Sequence, residues 1–94
     1  MITVEIGKHS ITANGHASEG NYLICNSVSV LLWSLAISLS KAEAYGLEVK
    51  EDEGFQMVKF TPTQKTMPIF LGAAECFRLM GEQFPEEIKI FEKK

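Results

Sequence analysis

The stretch from Tyr22 to Ala44 contains neither proline nor glycine, and Gly46 stands just past its end, so it reads as one long helix with Asn21 at its N-cap. At about 100° per residue, Ser27, Ser34, Ser38 and Lys41 fall in a stripe about 60° wide, and most of the remaining circumference is apolar. A helix lying on one sheet at a protein surface meets water over roughly half its circumference, so this one must be covered on more than one side. A second helix of the same chain can supply part of that cover. A second copy of the protein is expected to supply the rest, which predicts a homodimer. The same apolarity raises the question of a membrane span, but Asn26, Ser27, Ser29, Ser34 and Ser38 interrupt the run from Leu23 to Leu39. The run is also at the short end of what a bilayer needs, so no membrane partner is expected.

Around this helix the chain reads as strands and one further helix. Ile2, Val4 and Ile6 alternate with Thr3 and Glu5, the period of a half-buried strand, and Gly7-Lys8 supplies a turn. A second strand from about His9 stops at the turn-forming pair Asn14-Gly15. After Gly46, Leu47 and Val49 mark a third strand, Glu51-Asp52-Glu53-Gly54 a hairpin turn, and Phe55 to Phe60 a fourth. Thr66 is placed to cap a second helix with Pro68 in its first turn. Phe70, Ala73, Ala74, Phe77, Gly81 and Phe84 share one side of that helix, with Glu75, Arg78 and Glu82 on the other. Pro85 ends it, and Ile88 and Ile90 form the apolar face of a closing strand. The expected fold is α+β, a two-layer ββαββαβ arrangement with a mixed sheet and two helices packed on one face.

At 94 residues the chain has apolar material for one core, so residues 1–94 are expected to form a single domain. Hydrophobic residues make up 46% and charged residues 22%, a globular balance. The net charge is −3 and the nine Lys and Arg are scattered apart from Lys93-Lys94, so no basic stripe exists to neutralise phosphates and no direct nucleic-acid partner is expected. The first residues, MITVEIGKHS, show no positive run followed by an apolar stretch, which predicts a cytoplasmic protein. Its two cysteines are then expected to be thiols, with no cluster offering four ligands to a metal.

One pair suggests chemistry. Cys25 falls at the start of the long helix, where unsatisfied N–H groups and the positive end of the helix dipole favour a thiolate. His16 lies nine residues earlier, and the connecting loop is long enough to return its ring to the helix start. Taken alone, such a pair also fits a small buried hydrophobe and a polar turn residue.

The segment Gly15-His16-Ala17, a loop with Gly20, the aliphatic pair Leu23-Ile24, Cys25, and then Val28-Ser29 opening a hydrophobic helix resembles the bacterial ribosomal-processing cysteine protease family, Prp. The hairpins flanking the site and a late helix ending in Phe84-Pro85 resemble that family over the whole chain. The resemblance implies a dimeric, cofactor-free Cys/His endopeptidase that removes the N-terminal extension of large-subunit ribosomal protein twenty-seven, cutting after aromatic residues. Prophage relatives trim capsid or scaffold proteins, so a phage structural protein is the other implied substrate. It makes Cys25 the nucleophile, His16 the general base, Ser29 the serine one turn beyond the nucleophile, and Gly15 and Gly20 the glycines that shape the loop. The sequence departs from the family at Tyr22, where many members have Asp, with Asn21 as the neighbouring polar residue, and in a shorter loop between His16 and Cys25.

The other chemistry-bearing residues read as structural. Cys76 is expected in the core of the second helix, His9 as a solvated loop histidine, Glu51-Asp52-Glu53 as a solvated turn, and Trp33 as part of the core or dimer face. The alternative function is a non-catalytic homodimeric protein-interaction module. A thiol redox switch would need a resolving cysteine near Cys25.

Overall fold

The structure, a computed structural model, describes Met1–Lys93, and Lys94 lies outside the described residues. The alternation at the start of the chain produces strand β1 (Ile2–Ile6), which turns through a Gly7 N–H to Ser10 C=O bond into antiparallel β2 (Ser10–Gly15). Helix α1 (Tyr22–Lys41) follows, then the antiparallel hairpin of β3 (Tyr45–Asp52) and β4 (Phe55–Thr61), helix α2 (Met67–Gln83) and β5 (Ile88–Glu92). The sheet has five strands in the order β3-β4-β2-β1-β5. β2 pairs antiparallel with β4, Thr12 opposite Met57, and β5 runs parallel to β1 with Ile90 opposite Val4. The architecture is α+β, with the ββαββαβ order and the mixed sheet read from the sequence.

The strand period places Ile2, Val4, Ile6, Ile11, Ala13, Val58, Phe60 and Ile88 on one buried face. Both helices pack on that face, α1 toward β3 and β4 and α2 toward β5, and they touch each other. From α1 the face receives Ile24, Val28, Leu32, Leu35 and Leu39, each buried and each contributing about 1.5–3 kcal/mol. By length and composition α1 is apolar enough to cross a membrane, yet each of its turns is packed into this core. Its opposite side leaves Leu23, Val30 and Ile37 more than half exposed at 78%, 56% and 60%. Helix α2 contributes Phe70, Ala73, Ala74 and Phe77, and the Phe60 and Phe70 rings stand 5.3 Å apart.

Several local expectations are corrected. Asn21 holds the N-cap position of α1, but its side chain makes no capping hydrogen bond because it is drawn to another partner, described below. Thr66 likewise precedes α2 without capping it; its buried hydroxyl accepts from the Thr63 amide at 2.9 Å. Phe84 is not on the inner face of α2: it is the C-cap residue, and leaving helical geometry swings its ring outward. Cys76 is exposed, because the core face of α2 is filled by Ala73 and Phe77 on either side of it. His9 is half-buried with its ring edge against Phe60, and its buried Nδ1 has no hydrogen-bond partner among the described residues. Arg78 of α2 pairs with Glu92 of β5 at 2.6 Å, which joins the two elements, and with Glu75 of its own helix at 2.7 Å.

Candidate active site

β2 ends at Gly15, whose N–H donates to the Gly54 carbonyl at 2.9 Å, so the exit of β2 is tied to the β3–β4 turn. The chain then runs through His16, Ala17, Ser18, Glu19 and Gly20 to the cap position Asn21 and into α1. Gly15 and Gly20 both take positive φ, 96° and 92°, where the loop reverses. Cys25 is the fourth residue of α1 and is half-buried. Its Sγ accepts the Ala17 backbone N–H at 3.2 Å, so the loop folds back over the helix start and brings this amide to the sulfur.

His16 is exposed, and its imidazole lies over Gly54. That glycine is required by close approach as well as by its φ of 68°: a Cβ there would sit 2.8 Å from His16 Nε2. His16 and Cys25 line one cleft of about 150 Å³, with Ser29, Asp52, Gly54 and Gln56 among its other walls. Among the described residues they are linked through the Ala17 amide, one peptide beyond His16, and not by a direct imidazole–thiol hydrogen bond.

The walls of the cleft are set by α1. Ser29, one turn beyond Cys25, donates from its hydroxyl to Gln56 Oε1 at 2.9 Å, and Trp33, a turn further, donates from its indole N–H to Glu51 Oε2 at 2.9 Å. Trp33 is thus partly exposed at 46% and works as a tether for the hairpin. Glu51 and Asp52, read from sequence as a solvated turn, are the carboxylates lining the cleft. Asp52 Oδ1 accepts from the Glu53 amide, which shapes the turn. Among the described residues no group of three or more His, Cys, Asp and Glu could hold a metal. Tyr22 is 71% exposed and does not line the cleft.

A residue that sequence reasoning missed holds the loop from the far side. Glu87, in the turn before β5, accepts the Ser18 backbone N–H at Oε2 (2.8 Å) and the Asn21 side-chain amide at Oε1 (2.9 Å). These bonds, the Ser18 amide foremost, then the Ser18 hydroxyl, outweigh partial burial and with Asn21 hold the Glu87 carboxyl below the usual glutamate range. The only sequence signal for it was an acidic pair, Glu86-Glu87, after Pro85, which any solvated turn displays.

No protein-family model matches the chain, and no curated protein matches it in sequence. Solved structures do. The ribosomal processing protease Prp from S. aureus with a covalently linked product peptide superposes with a TM-score of 0.86 at 19% identity, covering 99% of this chain and 100% of that one. The same protease with a substrate peptide gives 0.84 at 18% identity, with the same coverage of both chains. SMU.848 from Streptococcus mutans gives 0.73 at 23% identity, covering 98% of this chain and 96% of that one. Nearly end to end, the chain therefore has the fold of the S. aureus ribosomal processing protease Prp.

Proposed function

We propose that the protein is a cysteine endopeptidase of the Prp type, with Cys25 as nucleophile and His16 as general base. The observation that carries this reading is the half-buried Cys25 sulfur receiving the Ala17 amide on the cleft that His16 lines, in a chain with the fold of a peptide-binding protease. In the proposed reaction the thiolate attacks a peptide carbonyl, the free amides at the start of α1 stabilise the oxyanion, and His16 protonates the leaving amine. His16 then activates water to release the acyl enzyme. A neutral thiol gives its proton to His16 on attack, so protons balance across the cycle.

The proposed substrate is a protein segment with an aromatic residue before the cut, either the N-terminal extension of large-subunit ribosomal protein twenty-seven or a phage capsid or scaffold protein. The proposed setting is the cytoplasm, and the proposed assembly a homodimer joined through the exposed side of α1, where Leu23, Val30 and Ile37 lie open. That same apolar side favours the second reading, a non-catalytic homodimeric interaction module.

Peptides spanning each candidate site, incubated with wild-type protein and with Cys25→Ala, separate the two readings. Cleavage by wild type and loss of at least about a thousandfold in the variant, with unchanged circular dichroism, is expected for the protease. Equal rates in the two proteins would end it and leave the module.

A further inference from the structure

We propose that Glu87 is a positioning residue for Cys25, a carboxylate clamp that fixes the 16–21 loop so that the Ala17 amide stays on the sulfur. The inference rests on the reading of Cys25 as the nucleophile, and it concerns a residue 62 positions away in the chain, the difference between 87 and 25.

The clamp is built at both ends. The two Glu87 oxygens take separate donors, the Ser18 amide at 2.8 Å and the Asn21 side chain at 2.9 Å, so one rigid group spans the segment that leads into α1. Between those two residues the Asn21 N–H donates to the Ser18 carbonyl at 2.9 Å, which closes the segment into a turn. Glu87 is itself fixed by its backbone: its N–H donates to the Phe84 carbonyl at 3.0 Å, and its carbonyl accepts the Ile2 N–H of β1 at 2.8 Å. The carboxylate is therefore referenced to the sheet, and the loop is referenced to the carboxylate.

The geometric consequence falls on Cys25. Ala17 and Ser18 are consecutive, so their two amides lie in adjacent peptide planes joined at the Ala17 Cα: with the Ser18 N–H held by Glu87, the freedom of the Ala17 N–H, which meets Sγ at 3.2 Å, is restricted. A hydrogen bond to sulfur strengthens when the sulfur is charged, so a fixed Ala17 amide favours the thiolate. Asn21 serves the same end. At the cap position an asparagine side chain ordinarily bonds the helix's own amides, and here it has been given to the clamp instead.

Charge and geometry predict opposite signs for removal of Glu87, and this makes the test decisive. Deleting a nearby negative charge by itself favours a thiolate, whereas releasing the Ala17 amide disfavours it. The experiment reads the ultraviolet thiolate band of Cys25 at neutral pH in a Cys76→Ser background, for the unaltered Glu87, for Glu87→Ala and for Glu87→Gln. The expected result is a thiolate band reduced at least about threefold in Glu87→Ala and partly restored in Glu87→Gln, which keeps one acceptor oxygen. A band in Glu87→Ala that is unchanged or stronger overturns the clamp. Should Glu87→Ala fail to fold by circular dichroism, Glu87→Gln carries the same comparison, with a reduced band supporting the clamp and an equal or stronger band overturning it. Peptide cleavage is measured in parallel: no cleavage by the wild type together with a band that still falls on loss of Glu87 removes the protease reading and leaves the clamp standing.

Discussion

The indole N–H of Trp33 donates to the Glu51 carboxylate at 2.9 Å, so a side chain of α1 steadies the tip of the β3–β4 hairpin beside the cleft. Trp33→Phe keeps an aromatic ring, though a smaller one, and removes the donor. The bond is solvent-accessible, so the expected stability loss is about 0.5–1.5 kcal/mol in urea unfolding. Peptide cleavage is expected to fall by about threefold through a looser cleft wall, and equal rates for variant and wild type would show that the hairpin keeps its place without this tether.

Gly54→Ala tests the space over which the His16 ring lies. The new Cβ would stand 2.8 Å from Nε2 in a backbone with φ of 68°, so the ring must move and the turn is strained. The left-handed conformation costs about 1–2 kcal/mol for a residue with a Cβ, visible as a lower Tm. Cleavage should fall further than in Trp33→Phe, since the displaced group is the proposed base. A fully active Gly54→Ala would mean that the imidazole position seen here does not matter.

The lowered Glu87 carboxyl carries a pH signature, with the Ser18 amide as its chief cause. A group whose folded value is depressed adds stability above its unfolded value, and that addition disappears as pH falls through the folded value. The stability difference between wild type and Glu87→Gln should therefore hold steady through neutral pH and shrink in acid, below the usual glutamate range. Denaturant titrations at a series of pH values give the curve. A difference that grows toward acid would contradict the bonding described here.

Phe77 is fully enclosed between the helices and the sheet. Phe77→Ala should cost about 3–5 kcal/mol in chemical denaturation, the lost burial of the ring plus the cavity it leaves. A loss below about 1 kcal/mol would show that the core collapses around the gap.

Elements with a strong period were legible in the sequence: the Ile2, Val4, Ile6 alternation became β1, and the Phe70, Ala73, Ala74, Phe77 stripe became the inner face of α2. The edges of such stripes were not. The stripe runs on to Phe84 although the helix ends at Gln83, and Cys76 borders a stripe whose core positions Ala73 and Phe77 occupy. At the site, the shared cleft of His16 and Cys25 was foreshadowed by a short loop leading to a helix start. Partners contributed by distant segments had no such signal. Gln56 meets Ser29 across 27 residues and Glu87 meets Ser18 across 69, and periodicity or spacing says nothing about contacts that only the folded sheet creates. Asn21 shows the same limit in miniature: its type suited a cap, and tertiary structure gave its amide a different task.

The parallel pairing of β5 with β1 also has a temporal side. The turn bearing Glu87 is among the last parts of the described chain to be synthesised, whereas the loop it grips is made some 70 residues sooner. A growing polypeptide can thus form the first hairpin and the long helix with its thiol still unorganised. With Glu87 acting as the clamp proposed above, the sulfur gains its amide partner in fixed geometry only once β5 has left the ribosome and docked.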